Sequence, residues 1–361
     1  MVQEIIGNMG IDIHNDRILV TGASGSLGKQ LIYELNKQGI KPIAHVRGSS
    51  DTSFVDSLDL EKRVADLRFP QAFPELLSGI DIVVHTAAWV DFRQDRLTQF
   101  TGINAIAPLD LFKASQETGV KRFVHVSSIA AVGAFDRRES EHDATEFDLI
   151  NEKSHFNLEG LHIPYIMTKR AAEVELQKAS SAEKTELVMV NPSIIIAPVA
   201  SGDDRKRVMR AFNKFVIPEF PVRVNLVDIR DVAPGIVAAM EKGRHGERYI
   251  LAGDNVVASD LSLAISAVLG KIPHLVRFPR PMYDFLARVS VTFNKLLGRG
   301  NIRIYPDLVK LLDYDWAYSS KKAREELGYQ SRSIYTTLDD LLTNNFTGTY
   351  LKPGVEQYAG R

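Results

Sequence analysis

A tyrosine and a lysine four residues apart, Tyr165 and Lys169, are the residue pair in this chain best suited to chemistry. Positions i and i+4 share one face of a helix, so a helix here would place the two side chains together. A phenol with a pKa near ~10 is a poor proton donor or base at neutral pH, but a neighbouring ammonium favours the phenolate and lowers that pKa. The pair predicts proton exchange with a substrate oxygen.

A serine pair, Ser127 and Ser128, follows the apolar run 122–126, which has the pattern of a strand. The Ser128 hydroxyl would bind the same carbonyl oxygen that Tyr165 protonates, while a nicotinamide cofactor delivers hydride to the carbon. Lys169 could in addition hold the ribose hydroxyls of that cofactor. Because a Tyr-x-x-x-Lys pair also occurs on solvated helix faces, its position after a glycine-rich turn and a series of strands carries the prediction.

That glycine-rich turn lies near the start of the chain, between an apolar run, 17–21, and a segment with helical periodicity that begins near residue 26. Glycine at every third position lets backbone N–H groups approach a pyrophosphate, whose charge then lies at the positive end of the helix. This is the opening of a dinucleotide-binding βαβ unit. The cofactor-binding residues predicted here are Gly22, Ser24, Gly25, Ser26, Leu27 and Gly28.

Other predicted cofactor contacts come from the ends of later strands. Arg47 follows the second strand, where a cation suits the 2′-phosphate of NADP(H), and NAD(H) remains possible. Trp89 would form an apolar wall for the substrate, or it would be a core residue. The remaining predicted contacts are Asp66 and Leu67 at the adenine, Ala87 and Ala88 beneath the cofactor, and Pro192 and Ser193 beside the nicotinamide.

The alternation of strand and helix patterns predicts an α/β fold, a Rossmann-type doubly wound parallel sheet with a smaller, mainly helical C-terminal substrate lobe. We expect an N-terminal extension, 1–16, and an NADP-binding domain, 17–191, to which strands near 224–228 and 247–251 return. The substrate lobe would comprise 192–223 and 253–361. A helix is expected to begin with Asp231 as its N-cap, and the polar stretch 137–159 is expected to be an active-site loop.

Composition narrows the class of protein. The chain of 361 residues has 44 Lys and Arg against 45 Asp and Glu, so no net charge recruits nucleic acid. It has no cysteine, which excludes disulfides and thiolate metal sites, and no metal site is predicted. The start of the chain lacks a signal-peptide pattern and no apolar run is long enough to span a bilayer. We therefore expect a cytoplasmic protein without an integral membrane segment, acting on a small molecule.

The sequence resembles the extended short-chain dehydrogenases/reductases, the NAD(P)-dependent epimerase/dehydratase superfamily. The resemblance covers nearly the whole chain and rests on the motifs Thr21-Gly22-x-x-Gly25-x-x-Gly28, Asp66-Leu67, His85-x-Ala87-Ala88, Asn104, Ser127-Ser128, Tyr165-x-x-x-Lys169 and Asn191-Pro192-Ser193.

It is most similar to the dihydroflavonol-4-reductase-like and 3β-hydroxysteroid-dehydrogenase-like branch, because of Val46-Arg47, Asn191-Pro192 and Gly246–Leu251. The resemblance implies catalytic roles for Ser128, Tyr165 and Lys169. It implies that Asn104 positions either the local structure or a water molecule that relays protons. It also implies a possible homodimer through the helices around Asn104 and Tyr165.

Where sugar-nucleotide dehydratases of the superfamily carry an Asp-Glu pair, this chain has Ile129 and Ala130, which disfavours dehydration. The predicted function is NADP(H)-dependent reduction of a ketone, or oxidation of the alcohol, on a moderately apolar small molecule. One alternative is an NAD-dependent sugar-nucleotide 4-epimerase, which needs only the Ser/Tyr/Lys set. Another is a non-catalytic dinucleotide sensor or scaffold, which would have no need of that set.

Overall fold

The structure is a computed structural model, and it describes residues 10–90, 97–138, 149–181, 183–197, 216–219, 222–268, 274–279, 281–283, 285 and 309–343. Strands and helices alternate through the first half of the chain. They are β1 (Ile18–Thr21), α1 (Ser26–Lys37), β2 (Ile43–Val46), α2 (Ser53–Ser57), β3 (Lys62–Val64), α3 (Phe73–Leu76), β4 (Ile82–His85), α4 (Leu97–Thr101), α5 (Ala107–Thr118), β5 (Arg122–Val126), β6 (Phe135–Asp136), α6 (Pro164–Ala179) and β7 (Glu186–Pro192).

The second half begins with strands and ends with two helices. Its elements are β8 (Ile194–Ile196), β9 (Val216–Pro218), β10 (Arg223–Asp228), α7 (Ile229–Lys242), β11 (Arg248–Leu251), β12 (Asp254–Val257), α8 (Ala258–Val268), β13 (His274–Val276), β14 (Tyr314–Asp315), α9 (Lys321–Leu327) and α10 (Ile334–Thr343).

Seven parallel strands form the central sheet, in the order β11-β7-β5-β4-β1-β2-β3. Side chains alternate between the two faces of each strand, and both faces are covered by helices. Val20 and Val84 pack in one cluster with α1 and α7 residues such as Leu31 and Ile236. Leu19, Val83 and Phe123 pack in a second cluster with α5 and α6 residues, among them Leu111 and Leu176. The predicted doubly wound Rossmann-type fold is therefore confirmed.

One of the two strands expected to return to this sheet lies elsewhere. The strand near 247–251 does return, because β11 pairs with β7 from Arg248 beside Met189 to Leu251 beside Pro192. The strand near 224–228 does not. It is β10, which forms a three-stranded sheet with β8 and β12. Since β11 already occupies the edge beside β7, β10 pairs instead with β8, the short strand just after β7.

The start of α7 also differs from the sequence expectation. Asp228, not Asp231, is the N-cap, and its Oδ1 atom accepts a hydrogen bond from the backbone N–H of Arg230 at 2.7 Å. The Asp231 carboxylate lies within the helix and accepts from the backbone N–H of Arg332 at 2.8 Å. In the described part of the chain, none of the helices combines the length and apolarity required to traverse a bilayer.

Candidate active site

The glycine turn after β1 is packed so tightly that side chains would not fit at two of its positions. Gly22 has a φ of +70°, and a Cβ atom there would lie 2.9 Å from the Cα of Ala87. A Cβ atom at Gly28 would lie 2.2 Å from the carbonyl oxygen of Gly22. The first turn of α1 is therefore held against β1, with its N-terminus at the carboxyl edge of the sheet.

A cavity of about 430 Å³ opens beside this turn. It brings together nine of the predicted residues: Gly22, Ser24, Gly25, Arg47, Asp66, Leu67, Ala87, Ala88 and Trp89. Ser26, Leu27 and Gly28 belong to the first turn of α1 and do not line it. A larger cleft of about 980 Å³, bordered by Arg248, contains none of the predicted site residues.

The cavity fits a dinucleotide at its glycine end. Gly25 is the N-cap of α1, and no side chain caps the N–H groups of the helix. Gly22 packs closely against Ala87, so the surface of the cavity at this turn is formed by backbone atoms. Backbone N–H groups and the helix dipole at such an N-terminus attract a phosphate charge. Gly22, Ser24 and Gly25 would hold the pyrophosphate of NAD(P).

At the other end of the cavity, Arg47 and Ser50 lie together, because the Arg47 N–H donates to Ser50 Oγ at 3.1 Å. Asp66 is the acidic side chain among the described lining residues, and its Oδ1 atom accepts from Arg68 Nε at 2.9 Å. Hydrogen bonds from Arg68 lower the pKa of the Asp66 carboxyl. Asp66 is thus an ionised carboxylate already engaged by a cation.

Tyr165 and Ser128 lie together at the start of α6. Pro164 opens the helix and places Tyr165 in its first turn, with Lys169 one turn further on. The hydroxyl groups of Tyr165 and Ser128 share a hydrogen bond. Ser128 Oγ also accepts from the backbone N–H of Ala130 at 3.2 Å, which fixes its rotamer at the start of the short helix Ile129–Ala131.

Lys169 is buried, and its Nζ atom donates to the carbonyl oxygen of Val126 at 2.9 Å. Burial lowers the pKa of Lys169 to about 8, against a smaller opposing effect of the Glu173 carboxylate. The expectation that Lys169 would lower the pKa of Tyr165 is not met in this structure. Burial raises the pKa of Tyr165, with the hydrogen bond from Ser128 as the opposing effect, so the phenol is protonated at neutral pH.

Asn104 lies in a π-helical turn, Gly102–Ile106, between α4 and α5. Its amide binds the main chain of Trp89: Oδ1 accepts from the N–H at 2.8 Å and Nδ2 donates to the carbonyl oxygen at 2.9 Å. The Trp89 ring stands against Phe100, with ring centroids 5.9 Å apart. These two hydrogen bonds fix the backbone of Trp89, which lines the cavity, and both predicted roles of Asn104 remain open.

The end of β7 carries the next predicted contacts. Pro192 and Ser193 are buried there, beside the short helix that follows Ser128. Ser193 Oγ is enclosed, and among the described residues it has no hydrogen-bond partner. Such a buried hydroxyl is available to a polar group of a bound cofactor.

Two buried residues, Asn191 and Glu173, were not among the predicted site residues, although Asn191 belongs to the motif Asn191-Pro192-Ser193. Asn191 Nδ2 donates to the Ser128 carbonyl oxygen at 2.9 Å and to Glu173 Oε1 at 2.5 Å. Glu173 also forms an ion pair with Arg248, with 3.0 Å between Oε2 and the guanidinium nitrogen. Glu173 stands four residues after Lys169, so the helical spacing that linked Tyr165 to Lys169 could have identified it.

Two buried histidines and a threonine lie side by side on neighbouring strands of the central sheet. Thr21 of β1, His85 of β4 and His125 of β5 are register neighbours, and the His85 and His125 rings stack with centroids 5.6 Å apart. His85 Nδ1 lies 3.0 Å from Thr21 Oγ1. Burial and the nearby Lys169 charge lower the pKa of both imidazoles, to about 3 for His85, so both rings are neutral.

Other expectations are only partly covered by the described residues. The sequence also contains a cluster of cations, Arg205, Lys206, Arg207 and Arg210, which would either bind a phosphate or carboxylate of the substrate or form a solvated helix face. That cluster and residues 139–148 of the predicted active-site loop lie outside the described residues. The described residues contain no group of three or more His, Cys, Asp or Glu side chains able to hold a metal ion.

Comparison with known proteins places this geometry in a family. The family model described as NAD dependent epimerase/dehydratase matches residues 18–252. The chain is 28% identical over 337 residues to sterol demethylase protein B of Methylococcus capsulatus, covering 89% of this chain and 96% of that protein. It is 25% identical over 314 residues to ceramide reductase of Caulobacter vibrioides, covering 85% and 88%.

An epimerase is also among its relatives. The chain is 24% identical over 299 residues to UDP-glucose 4-epimerase of Vibrio cholerae, covering 79% of this chain and 83% of that protein. The matched residues run from β1 to just past β11 and so include the glycine turn, Ser128, Tyr165 and Lys169. The chain therefore belongs to the NAD dependent epimerase/dehydratase family and is an NAD(P)-dependent enzyme of the extended short-chain dehydrogenase/reductase type.

Proposed function

We propose that this protein is an NADP(H)-dependent oxidoreductase that reduces a ketone, or oxidises the corresponding alcohol, on a moderately apolar small molecule. The observation that carries the proposal is the hydrogen bond between the hydroxyls of Tyr165 and Ser128, one helical turn from buried Lys169. Ile129 and Ala130, which follow Ser128, are buried apolar residues and supply no acid for dehydration.

The chemistry proposed for these residues is a proton transfer coupled to hydride transfer. Bound NADPH would supply a hydride to the carbonyl carbon and become oxidised. Ser128 and Tyr165 would both donate to the carbonyl oxygen, and Tyr165 would release its proton to that oxygen as the alcohol forms. The raised pKa of Tyr165 keeps the proton in place until the oxygen becomes basic, and the Ser128 hydroxyl, whose hydrogen bond lowers that pKa, would stabilise the phenolate that remains.

A preference for NADP(H) follows from the cation at the end of β2. Arg47 and Ser50 line the cavity where the adenosine ribose of a dinucleotide would lie, and the acidic residue nearby, Asp66, is paired with Arg68. A guanidinium and a hydroxyl suit a 2′-phosphate, whereas a free carboxylate would repel it. NAD(H) remains the second cofactor to test.

An apolar substrate is supported by exposed apolar side chains, one in the cavity and one just after the end of β7. Val90 lines the cavity and is 64% exposed, next to Trp89, and Ile194 is 46% exposed just after Ser193. Apolar surface left uncovered at a binding site favours an apolar ligand.

We propose that 192–223 and 253–361 supply the rest of the substrate lobe. We also propose that two copies of the chain would pair through the helices around Asn104 and Tyr165.

A screen separates this function from the alternatives. Aromatic and steroid-like ketones are each incubated with NADPH, and UDP-glucose and UDP-N-acetylglucosamine with NAD, and turnover is followed by cofactor absorbance and by chromatography of the sugars. Turnover of ketones is expected. Conversion of the sugars alone would make the protein an epimerase, as the relative in Vibrio cholerae is named. Cofactor binding with no turnover of any compound would favour a sensor or scaffold.

A further inference from the structure

The Glu173 carboxylate connects the helix that carries Lys169 to the segment that carries Ser128. It is on α6, one turn beyond Lys169, and it is 1% exposed. Through the Asn191 amide it reaches the carbonyl oxygen of Ser128, because Asn191 Nδ2 donates to Glu173 Oε1 at 2.5 Å and to Ser128 O at 2.9 Å. The helix that carries Lys169 is thus connected, through Glu173 and Asn191, to the strand end that carries Ser128.

A buried carboxylate is costly unless its charge is compensated. Arg248, on the edge strand β11, supplies the compensating charge through the ion pair at 3.0 Å. The cation reaches Glu173 from a strand other than the one that carries Asn191. This arrangement leaves the amide of Asn191 able to bind Ser128.

Glu173 supplies the negative charge near Lys169. Tyr165 and Glu173 lie on its own helix, and His125 of β5 and His85 of β4 are neutral rings whose pKa the Lys169 charge lowers. The negative charge of Glu173 raises the pKa of Lys169, against the larger lowering by burial. Without that charge, Lys169 would lose its proton at a lower pH.

We propose that Glu173 is a positioning residue of this active site: it holds the Ser128 segment through Asn191 and supplies a negative charge one helical turn from the Lys169 ammonium, with Arg248 as the compensating cation. The catalytic part of this inference rests on the function proposed above. The electrostatic part does not, because the coupling of Glu173 to Lys169 is a property of the folded chain without substrate.

The test uses Glu173→Gln, which keeps an oxygen for Asn191 and removes the charge. The matched control is Glu175→Gln on the same helix, where the carboxylate is 48% exposed and pairs with Lys178 at the surface. Urea unfolding is measured for both variants and the parent at about pH 7, where Lys169 is charged, and at about pH 10, above its folded pKa of about 8.

We expect the unfolding midpoint of Glu173→Gln to be lower than that of the parent, and the difference to be larger at about pH 7 than at about pH 10. The reason is that the Glu173 carboxylate stabilises Lys169 only while Lys169 is charged. The midpoint of Glu175→Gln should show no such dependence. In a Lys169→Met background, the pH-dependent part of the Glu173→Gln effect should disappear. An equal loss at both pH values, or the same dependence in Glu175→Gln, would overturn the coupling whatever the enzyme acts on.

The catalytic arm uses the ketones of the screen with NADPH. In Glu173→Gln we expect kcat to fall with little change in KM, and the fall in rate at high pH to begin at a lower pH than in the parent, while Glu175→Gln follows the parent. A parent that reduces none of the ketones would contradict the proposed function and leave the unfolding result to decide the coupling. A parent that reduces them, with a Glu173→Gln profile equal to that of Glu175→Gln, would contradict the positioning role alone.

Discussion

The Nζ atom of Lys169 on α6 donates to the carbonyl oxygen of Val126 at the end of β5, at 2.9 Å. The next two residues after Val126 are Ser127 and Ser128, so this contact ties the helix that carries Tyr165 to the strand that delivers its hydroxyl partner. Lys169 therefore has a structural task besides its charge. A substitution there is expected to disturb the distance between Ser128 and Tyr165 as well as the electrostatics.

Arg47→Asp is expected to change cofactor choice. If Arg47 binds a 2′-phosphate, replacing it by a carboxylate removes a charge-assisted hydrogen bond of about 1.5–3 kcal/mol, or about tenfold to a hundredfold in affinity. NADH lacks that phosphate and should lose much less. Fluorescence titrations with both cofactors give the ratio, and Lys37→Asp, an exposed cation at the end of α1, is the control. Equal weakening of NADPH and NADH would remove Arg47 from phosphate binding.

Gly28→Ala should destabilise the fold. A Cβ atom at this position would lie 2.2 Å from the carbonyl oxygen of Gly22, and backbone cannot move aside as a flexible side chain can. Overpacking of this kind costs about 1–3 kcal/mol. Gly160→Ala is the control, because a Cβ atom there meets nothing within 4 Å. Urea unfolding measures both variants, and a Gly28→Ala protein as stable as Gly160→Ala would contradict the close packing of the turn.

Acid should destabilise the protein through its buried histidines. Burial lowers the pKa of His45 to about 4 and that of His85 to about 3, and it lowers the pKa of His125 as well. Below about pH 6.5 the unfolded chain binds protons that the folded chain does not, so each histidine removes up to about 1.4 kcal/mol of stability per pH unit as the pH falls.

The variant that tests this is His125→Phe, whose ring can keep the stack on His85. Its stability should fall less steeply than that of the parent between about pH 7 and pH 5, by up to about 1.4 kcal/mol per pH unit. His155→Phe, at an exposed position, should fall as steeply as the parent. Urea unfolding across this range provides the slopes, and identical slopes in parent and His125→Phe would show that His125 is protonated in the folded protein.

Much of the sheet could be predicted from the sequence because its strands are short apolar runs buried on both faces, such as Ile82–His85. Local spacing was likewise enough to find Tyr165, Lys169 and the glycine turn. The pairing of β10 was not predictable, since an apolar run does not say which edge it joins. Nor was the cap of α7, where Asp228 and Asp231 are equally good N-cap residues by type.

The contacts of Glu173 with Asn191 and Arg248 could not be predicted from the sequence for a different reason. Its partners Asn191 and Arg248 come from β7 and β11, and only the parallel pairing of those two strands brings them to α6. The pKa of Tyr165 was mispredicted for a similar reason. Spacing showed that Lys169 is near, but the degree of burial, which raises that pKa, is a property of the assembled fold.

The most direct test of the central claim is Tyr165→Phe. The phenyl ring keeps the packing of Tyr165 while the proton donor and the hydrogen bond to Ser128 are lost. Turnover of the ketones with NADPH should fall by about 10²–10⁴-fold, the usual contribution of a positioned general acid. NADPH affinity, measured by fluorescence, should stay close to that of the parent, and Tyr335→Phe at an exposed position should behave as the parent. A Tyr165→Phe enzyme that reduces ketones at the parental rate would contradict the account.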